Sequence, residues 1–143
     1  MADLDTRFAL HVPRSTDGLA RLGGWVDEVA AALALPAAAE YALRLCVEEA
    51  VTNVVMHGRP PADGDAGTVT LRVDAGADAV RLTIQDRCAA FDPLVVAPPK
   101  RPTSLTKVRV GGLGVHLMRQ YSRELRYERV DGRNVLTVVI SRS

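Results

Sequence analysis

The chain has 143 residues, with 18 Lys and Arg against 17 Asp and Glu, which gives a formal net charge of +1 at pH 7. A near-neutral chain has no global field to attract nucleic acid or an anionic membrane, and aromatic residues make up only 4% of it. No apolar run approaches the roughly 20 residues that a membrane span needs. We therefore expect one domain over residues 1–143 that binds neither nucleic acid nor membrane.

The cysteine content and the first residues indicate the compartment. Cys46 and Cys88 form no CxxC pair, which disfavours a disulfide scaffold and favours a reducing environment. The acidic start of the chain does not resemble a signal peptide. We expect a cytoplasmic protein.

The first part of the chain predicts one strand and two helices. Residues 7–13 alternate between apolar and polar side chains until a proline ends the pattern. Apolar residues then recur at helical spacing over residues 19–35. Pro36 suits the first turn of a second helix over residues 36–56, and Gly58 suits its end.

The second part predicts two hairpins, with a long loop and a short helix between them. The loop contains four prolines, and a stretch of this length without secondary structure is typical of a lid. In chain order the predicted elements are strands 68–73 and 79–85, the lid 86–110, a helix 113–121, and strands 124–129 and 134–140. Because strands and helices come in blocks, the sequence predicts an α+β fold, a two-layer sandwich whose mostly antiparallel mixed sheet has helices on one face.

The second helix carries a carboxylate and a carboxamide one turn apart. Glu49 and Asn53 share one stripe of this helix with Ala42, Leu45, Cys46 and Met56. Glu48 lies on the other side, where Arg44 can pair with it in solvent. A carboxylate on an apolar stripe is costly unless it is paired or bound to a metal. The helix alone leaves two interpretations open, a divalent metal site with an oriented nucleophile or a buried Glu–Asn pair.

Two further features point to a nucleotide. Gly111, Gly112 and Gly114 precede an apolar helix and allow backbone amides to approach phosphate, although a simple turn would also explain them. They form neither a Walker A motif nor a dinucleotide fingerprint. Asp86 ends a strand at the start of the lid, where it can accept a hydrogen bond from an exocyclic amine or simply initiate a turn.

Taken in order, these motifs resemble the GHKL ATPase/kinase family, a histidine-kinase-like ATPase fold. Within that family the chain is most similar to the small anti-sigma-factor serine/threonine kinases. Residues 49–53 followed by His57-Gly58 match the family's N box, residues 86–93 match its adenine-binding box, and residues 111–118 match its second glycine box. The resemblance covers nearly the whole chain.

The resemblance implies roles for individual residues. Glu49 would be the catalytic general base that acts on the attacking serine hydroxyl, and Asn53 would be a ligand of Mg²⁺ bridging the ATP phosphates. Asp86 would bind the adenine amino group. The glycines Gly111, Gly112 and Gly114 would provide the hinge of the lid and its amide contacts to phosphate. The lid cations Lys100, Arg101, Lys107 and Arg109 would neutralise phosphate charge, or would line a solvated loop.

The resemblance also implies partners. These are a sigma factor, which the chain would sequester, and a STAS-type antagonist protein, which it would phosphorylate. A homodimer formed through the leading strand is a further expectation.

One departure from the family pattern supports an alternative. The adenine-binding box usually has Gly two residues after the Asp, and here the positions read Cys88, Ala89 and Ala90. If the backbone there needs a positive φ, or if the nucleotide must approach it closely, Cys88 costs about 1 kcal/mol or more. The alternative is a weakly active or inactive partner-switching module of the same fold. A histidine-kinase catalytic fragment is less favoured, because no dimerisation helix precedes the first strand.

Overall fold

The structure, a computed structural model, describes residues 6–61, 67–95 and 113–143. The predicted site residues Lys107, Arg109, Gly111 and Gly112 lie outside the described residues, as do Lys100 and Arg101. The elements are β1 (Thr6–Pro13), α1 (Thr16–Ala20), α2 (Leu22–Leu33), α3 (Ala37–His57), β2 (Thr68–Ala75), β3 (Ala79–Asp86), a short 3-10 helix (Pro93–Val95), α4 (Leu113–Tyr121), β4 (Glu124–Val130) and β5 (Arg133–Ser141).

The five strands form one sheet in the order β1-β2-β3-β5-β4, and each pairing is antiparallel. Asp131 and Gly132 both have positive φ, 49° and 75°, as the tight turn between β4 and β5 requires. Residues of α2, α3 and α4 pack with the inner face of the sheet into one buried cluster. The predicted α+β sandwich is confirmed.

The alternation of inward residues along β3 and β5 determines where polar groups enter the core. On β3 the inward residues are Val80, Leu82, Ile84 and Asp86, and on β5 they are Asn134, Leu136, Val138 and Ile140. Each fully buried aliphatic side chain stabilises the fold by about 2 kcal/mol. The same alternation places Asp86 directly opposite Asn134 at one end of the sheet, and both are buried.

The first predicted helix differs from the structure. It is two helices, because the chain turns at Arg21, whose backbone N–H donates to the carbonyl of Gly18 three residues earlier. A side chain on Gly18 would collide with the carbonyl oxygen of Pro13. The glycine therefore lets α1 pack closely over the end of β1, and α2 begins at Leu22.

The outer face of the sheet is polar. Asp74 is fully buried there and forms ion pairs with Arg7 (Nε–Oδ1 3.1 Å) and Arg72 (Nε–Oδ2 3.0 Å). Of the described helices, none is both long and apolar enough to cross a membrane.

Candidate functional site

A cavity lies between the second half of α3 and the end of the sheet where Asp86 and Asn134 face each other. Its wall is mainly apolar, with a few polar groups, which suits a flat heteroaromatic ring held at one edge. The lining residues are Ala50, Asn53, Val54, Gly58, Ile84, Asp86, Cys88, Phe91, Pro93, Tyr127, Asn134 and Leu136. Two predicted site residues, Asn53 and Asp86, therefore line one cavity.

Asp86 is 7% exposed, and its carboxylate accepts hydrogen bonds from the backbone of Cys88, from Asn134 and from the Cys88 thiol. Oδ1 accepts hydrogen bonds from the backbone N–H of Cys88 (2.9 Å) and from Nδ2 of Asn134 (2.9 Å). Each carboxylate oxygen has more than one lone pair, so the group can also accept a hydrogen bond from a ligand in the cavity. An amine donor at the edge of a base matches this acceptor.

The residue that sequence reasoning missed is Asn134. Its side chain bonds to Asp86, to the carbonyls of Cys88 and Ala89, and to donors from β4 and from Phe91. A sequence signal was present, because Asn134 interrupts the apolar alternation of β5 with a polar side chain at an inward position. An inward polar residue needs buried partners, and these are often found at a site.

Cys88 is accommodated without backbone strain. Among the described residues, the non-glycine positions with positive φ are Ala34 and Asp131, so Cys88, Ala89 and Ala90 do not adopt the left-handed conformation. Cys88 therefore does not bear the strain that a positive φ would impose.

Gly58 makes room for the Cys88 side chain. A Cβ on Gly58 would come within 2.7 Å of the Cys88 sulfur and would collide with the carbonyl oxygen of Val54. Gly58 ends α3 with φ −65°, so close packing, rather than a left-handed cap, explains this glycine.

Both thiols are held protonated by their surroundings. Burial, followed by the charge of Asp86, raises the pKa of Cys88 to about 11, and burial, followed by Glu49, raises the pKa of Cys46 to about 12. The folded-state pKa lies above the unfolded one, so the contribution of each thiol to the free energy of unfolding is lost as the pH rises toward these values.

We expect iodoacetamide at pH 8 to alkylate both thiols about a hundredfold more slowly in the folded chain than in urea, because little thiolate is present. Mass spectrometry of the modified peptides measures the two rates separately, and Cys46→Ala isolates Cys88. Equal rates for Cys88 in the folded and unfolded chains would contradict its burial.

Glu49 packs against the start of α4. The position that a Cβ on Gly114 would occupy is already filled by Oε2 of Glu49. A helix N-terminus carries partial positive charge that favours a carboxylate. Gly114 is the second residue of α4. Its lack of a side chain allows the carboxylate of Glu49, the predicted general base, to lie close to the predicted glycine box.

The other predictions on α3 have mixed outcomes. Asn53 is half-buried and Cys46 is buried, as expected for one stripe, but Met56 is 67% exposed because it lies in the last turn of the helix. The described ion pairs of Arg44 are with Asp27 (2.6 Å) and Glu40 (3.9 Å) rather than with Glu48. Glu48 is exposed, so only Glu49 of the two faces the interior.

The metal ligands available at the cavity fit Mg²⁺ that binds together with phosphate. No group of three or more His, Cys, Asp or Glu side chains among the described residues could hold a metal by itself. Mg²⁺ commonly keeps several waters and binds through one or two side chains plus phosphates, and the amide oxygen of Asn53 is a ligand of that kind. The described residues therefore fit a metal that arrives with a nucleotide.

Comparison with known proteins gives the family. A model of the histidine kinase-like ATPase domain matches residues 12–140. The chain is 36% identical over 114 residues to "Serine/threonine-protein kinase BtrW" of Bordetella bronchiseptica, covering 80% of this chain and 79% of the relative. It is 28% identical over 94 residues to "Serine-protein kinase RsbW" of Bacillus pumilus, covering 63% of this chain and 58% of the relative.

Solved structures show the same fold. The RsbU and RsbW domains of Rv1364c from Mycobacterium tuberculosis match with a TM-score of 0.66 at 14% identity, covering 96% of this chain and 33% of that one. The histidine kinase domain of a blue-light activated histidine kinase from Erythrobacter litoralis matches with a TM-score of 0.55 at 20% identity, covering 85% of this chain and 61% of that one. The chain therefore belongs to the histidine kinase-like ATPase domain family, on the branch of serine/threonine kinases that its motifs resemble.

Proposed function

We propose that this chain is an ATP-binding anti-sigma regulatory factor that phosphorylates a serine or threonine of a STAS-type antagonist protein and sequesters a sigma factor. The observation that carries the proposal is the buried carboxylate of Asp86, which lines an apolar cavity together with Asn53 of α3, the helix that also bears Glu49. The kinase names of the relatives in Bordetella and Bacillus support the same activity.

The adenine ring would occupy the cavity. Its faces would pack against apolar residues such as Val54, Ile84 and Leu136, and its exocyclic amine would donate to Oδ2 of Asp86. An ionised carboxylate is a strong acceptor for such a donor. Recognition of adenine would then combine burial of the ring against apolar side chains with one hydrogen bond to Asp86.

Glu49 would act on the acceptor hydroxyl. It lies one helical turn before Asn53, so a nucleotide whose base contacts Asp86 and whose phosphates extend past Asn53 brings the γ-phosphate toward Glu49. The carboxylate would hold or accept the proton of the attacking serine Oγ. Positioning and charge stabilisation account for most of the catalysis in phosphoryl transfer.

Mg²⁺ would be held by Asn53 and by the phosphates themselves, where it neutralises negative charge during transfer. Gly111, Gly112 and Gly114 would bring backbone amides to the phosphates, and Lys107 and Arg109 would add positive charge from the lid. Closure of the lid would exclude water from the reacting groups.

The proposed partners extend to a second copy of this chain. β1 lies at an edge of the described sheet, where it pairs with β2, and its free edge is available for a homodimer. We place the protein in the cytoplasm, where ATP and sigma factors are found.

The experiment that tests the nucleotide site is calorimetry of ATP with Mg²⁺ on the native chain and on Asn53→Ala. We expect micromolar binding by the native chain and a loss of about tenfold or more in the variant, because one metal ligand is removed. In EDTA the two proteins should bind ATP alike, since the metal is then absent from both.

His57→Ala is the matched control, because His57 is exposed one turn further along the same helix. It should bind as the native chain does. Failure of the native chain to bind millimolar ATP would overturn the proposal and favour a partner-binding module without catalysis.

A further inference from the structure

Two exposed aromatic residues lie side by side on the helical face of the molecule. The rings of Tyr41 on α3 and Tyr121 on α4 meet edge to face, with their centroids 5.3 Å apart. Tyr41 is 56% exposed and Tyr121 is 39% exposed. We propose that this tyrosine pair is the docking site for the acceptor protein, where it binds an apolar side chain close to the acceptor serine. The inference rests on the proposed function, because it concerns the protein substrate of the same site.

The tyrosine pair lies at one end of the seam between α3 and α4, and the predicted general base lies toward the other end. The carboxylate of Glu49 lies against Gly114, near the start of α4. Tyr121, which contacts Tyr41, is the last residue of α4. The two helices are therefore antiparallel along the seam. Tyr41 precedes Glu49 by eight residues of α3, which is about 12 Å at a rise of 1.5 Å per residue.

Apolar side chains line the seam between the tyrosine pair and Glu49. Leu45 lies one helical turn from both Tyr41 and Glu49. On α4, Leu117 lies one turn before Tyr121. Both leucines are half-buried, so part of each remains accessible. A partner that covers this seam would remove apolar area from water, which favours binding.

The direction from which the acceptor arrives follows from the chemistry of transfer. The cavity for the base lies beside the second half of α3, and the phosphates would extend past Asn53 toward Glu49. The attacking and leaving oxygens lie roughly in line in phosphoryl transfer, so the serine oxygen approaches the γ-phosphate from the side opposite ADP. That side corresponds to the first half of α3, where Tyr41 and Tyr121 lie.

A protein substrate is large enough to reach the tyrosine pair. A specific interface buries about 800 Å² on each partner, which corresponds to a disc with a radius of about 16 Å. A disc of that size centred on Glu49 includes the tyrosine pair. Tyrosine is enriched among the residues that contribute most to binding, because its rigid ring supplies a large contact area at a low entropic cost. We therefore expect the pair to contribute to the affinity for the acceptor and not to the chemical step.

The test measures serine phosphorylation as a function of the concentration of a STAS-type antagonist protein, at saturating ATP with Mg²⁺. Tyr41→Ala and Tyr121→Ala each remove one ring. We expect each variant to raise the KM for the antagonist about tenfold or more, while kcat and the Kd for ATP stay within about threefold of the native values. Tyr41→Phe and Tyr121→Phe keep the ring, so their KM should stay within about threefold of the native KM.

Val130→Ala is the matched control. Val130 is 41% exposed and is the last residue of β4, the strand that starts just after α4, so it lies at the end of the strand remote from Tyr121. The control should have the native KM. Photo-cross-linking with p-benzoylphenylalanine in place of Tyr41 gives a second measurement that keeps an aromatic ring. Mass spectrometry should locate the cross-link on the antagonist surface that surrounds the phosphorylated serine.

The outcomes distinguish this inference from the proposed function. A native KM in both Ala variants would overturn the inference, while phosphate transfer itself would stand. A loss of sigma-factor binding by these variants at an unchanged KM would also overturn it, because the pair would then hold the other partner. A lower kcat at an unchanged KM would mean that the pair only supports Glu49, and would overturn it too. Absence of transfer by the native chain would overturn the proposed function, and the inference with it.

Discussion

Glu49→Gln is expected to lower serine phosphorylation by about a hundredfold or more, while the Kd for ATP with Mg²⁺ stays within about threefold of the native value. The substitution keeps the shape that packs against Gly114 and removes the carboxylate that would accept the serine proton. Transfer of labelled γ-phosphate to a STAS-type antagonist protein measures the first quantity, and calorimetry measures the second.

Glu48→Gln provides the matched control for this experiment. Glu48 precedes Glu49 on α3 but is exposed, so the same chemical change there should leave both transfer and binding unaltered. Equal losses in the two variants would indicate a general effect of charge on α3. Full activity of Glu49→Gln would show that another group takes the proton.

Asp86→Asn is expected to weaken ATP binding by about a hundredfold or more, because a donor would then face a donor. The carbonyl oxygen of the new amide would be held by Asn134 and by the N–H of Cys88, as Oδ1 of Asp86 is now. Its NH₂ group would point into the cavity toward the adenine amine. The same geometry predicts that ITP binds this variant better than it binds the native chain, which competition binding measures directly.

Asp92→Asn is the control for the change of charge. Asp92 lies six residues further along the chain, where its Oδ1 accepts from the backbone N–H of Leu94. It should change the affinity for ATP by no more than about threefold. A loss of ATP binding without any gain in ITP binding by Asp86→Asn would show that Asp86 supports the cavity without reading the base.

The helices and strands were predicted mainly from patterns within short stretches of sequence. Alternation identified the strands of the first hairpin, the Asp131-Gly132 turn indicated the second, and Pro36 and Gly58 indicated the ends of α3. The break at Arg21 was missed because apolar spacing does not reveal the close packing of Gly18 over Pro13 at the end of β1. The spacing of apolar residues predicts a single helix over residues 19–35.

The candidate site residues that belong to a contiguous motif could be predicted from the sequence. The residue that strand pairing brings to the site was missed. Asp86 and Asn53 each belong to a short run of sequence, and both line the cavity. Asn134 acts from 48 positions away, through the register that pairs it with Asp86. The space for the Cys88 side chain likewise depends on a residue distant in sequence, Gly58, which leaves room for the sulfur.

The pairing of Asp86 with Asn134 also determines when, during folding, a binding site first exists. The β2–β3 hairpin and α3 close short loops, whereas the contacts of Asn134 and Arg129 with residues 86–91 span 41 to 48 positions. Long loops cost more entropy to close, so we expect the docking of β5 on β3 to follow the local elements. A growing chain that has not yet reached β5 would already contain its hairpin and its long helix, yet would lack Asn134, the partner of Asp86 in the candidate site.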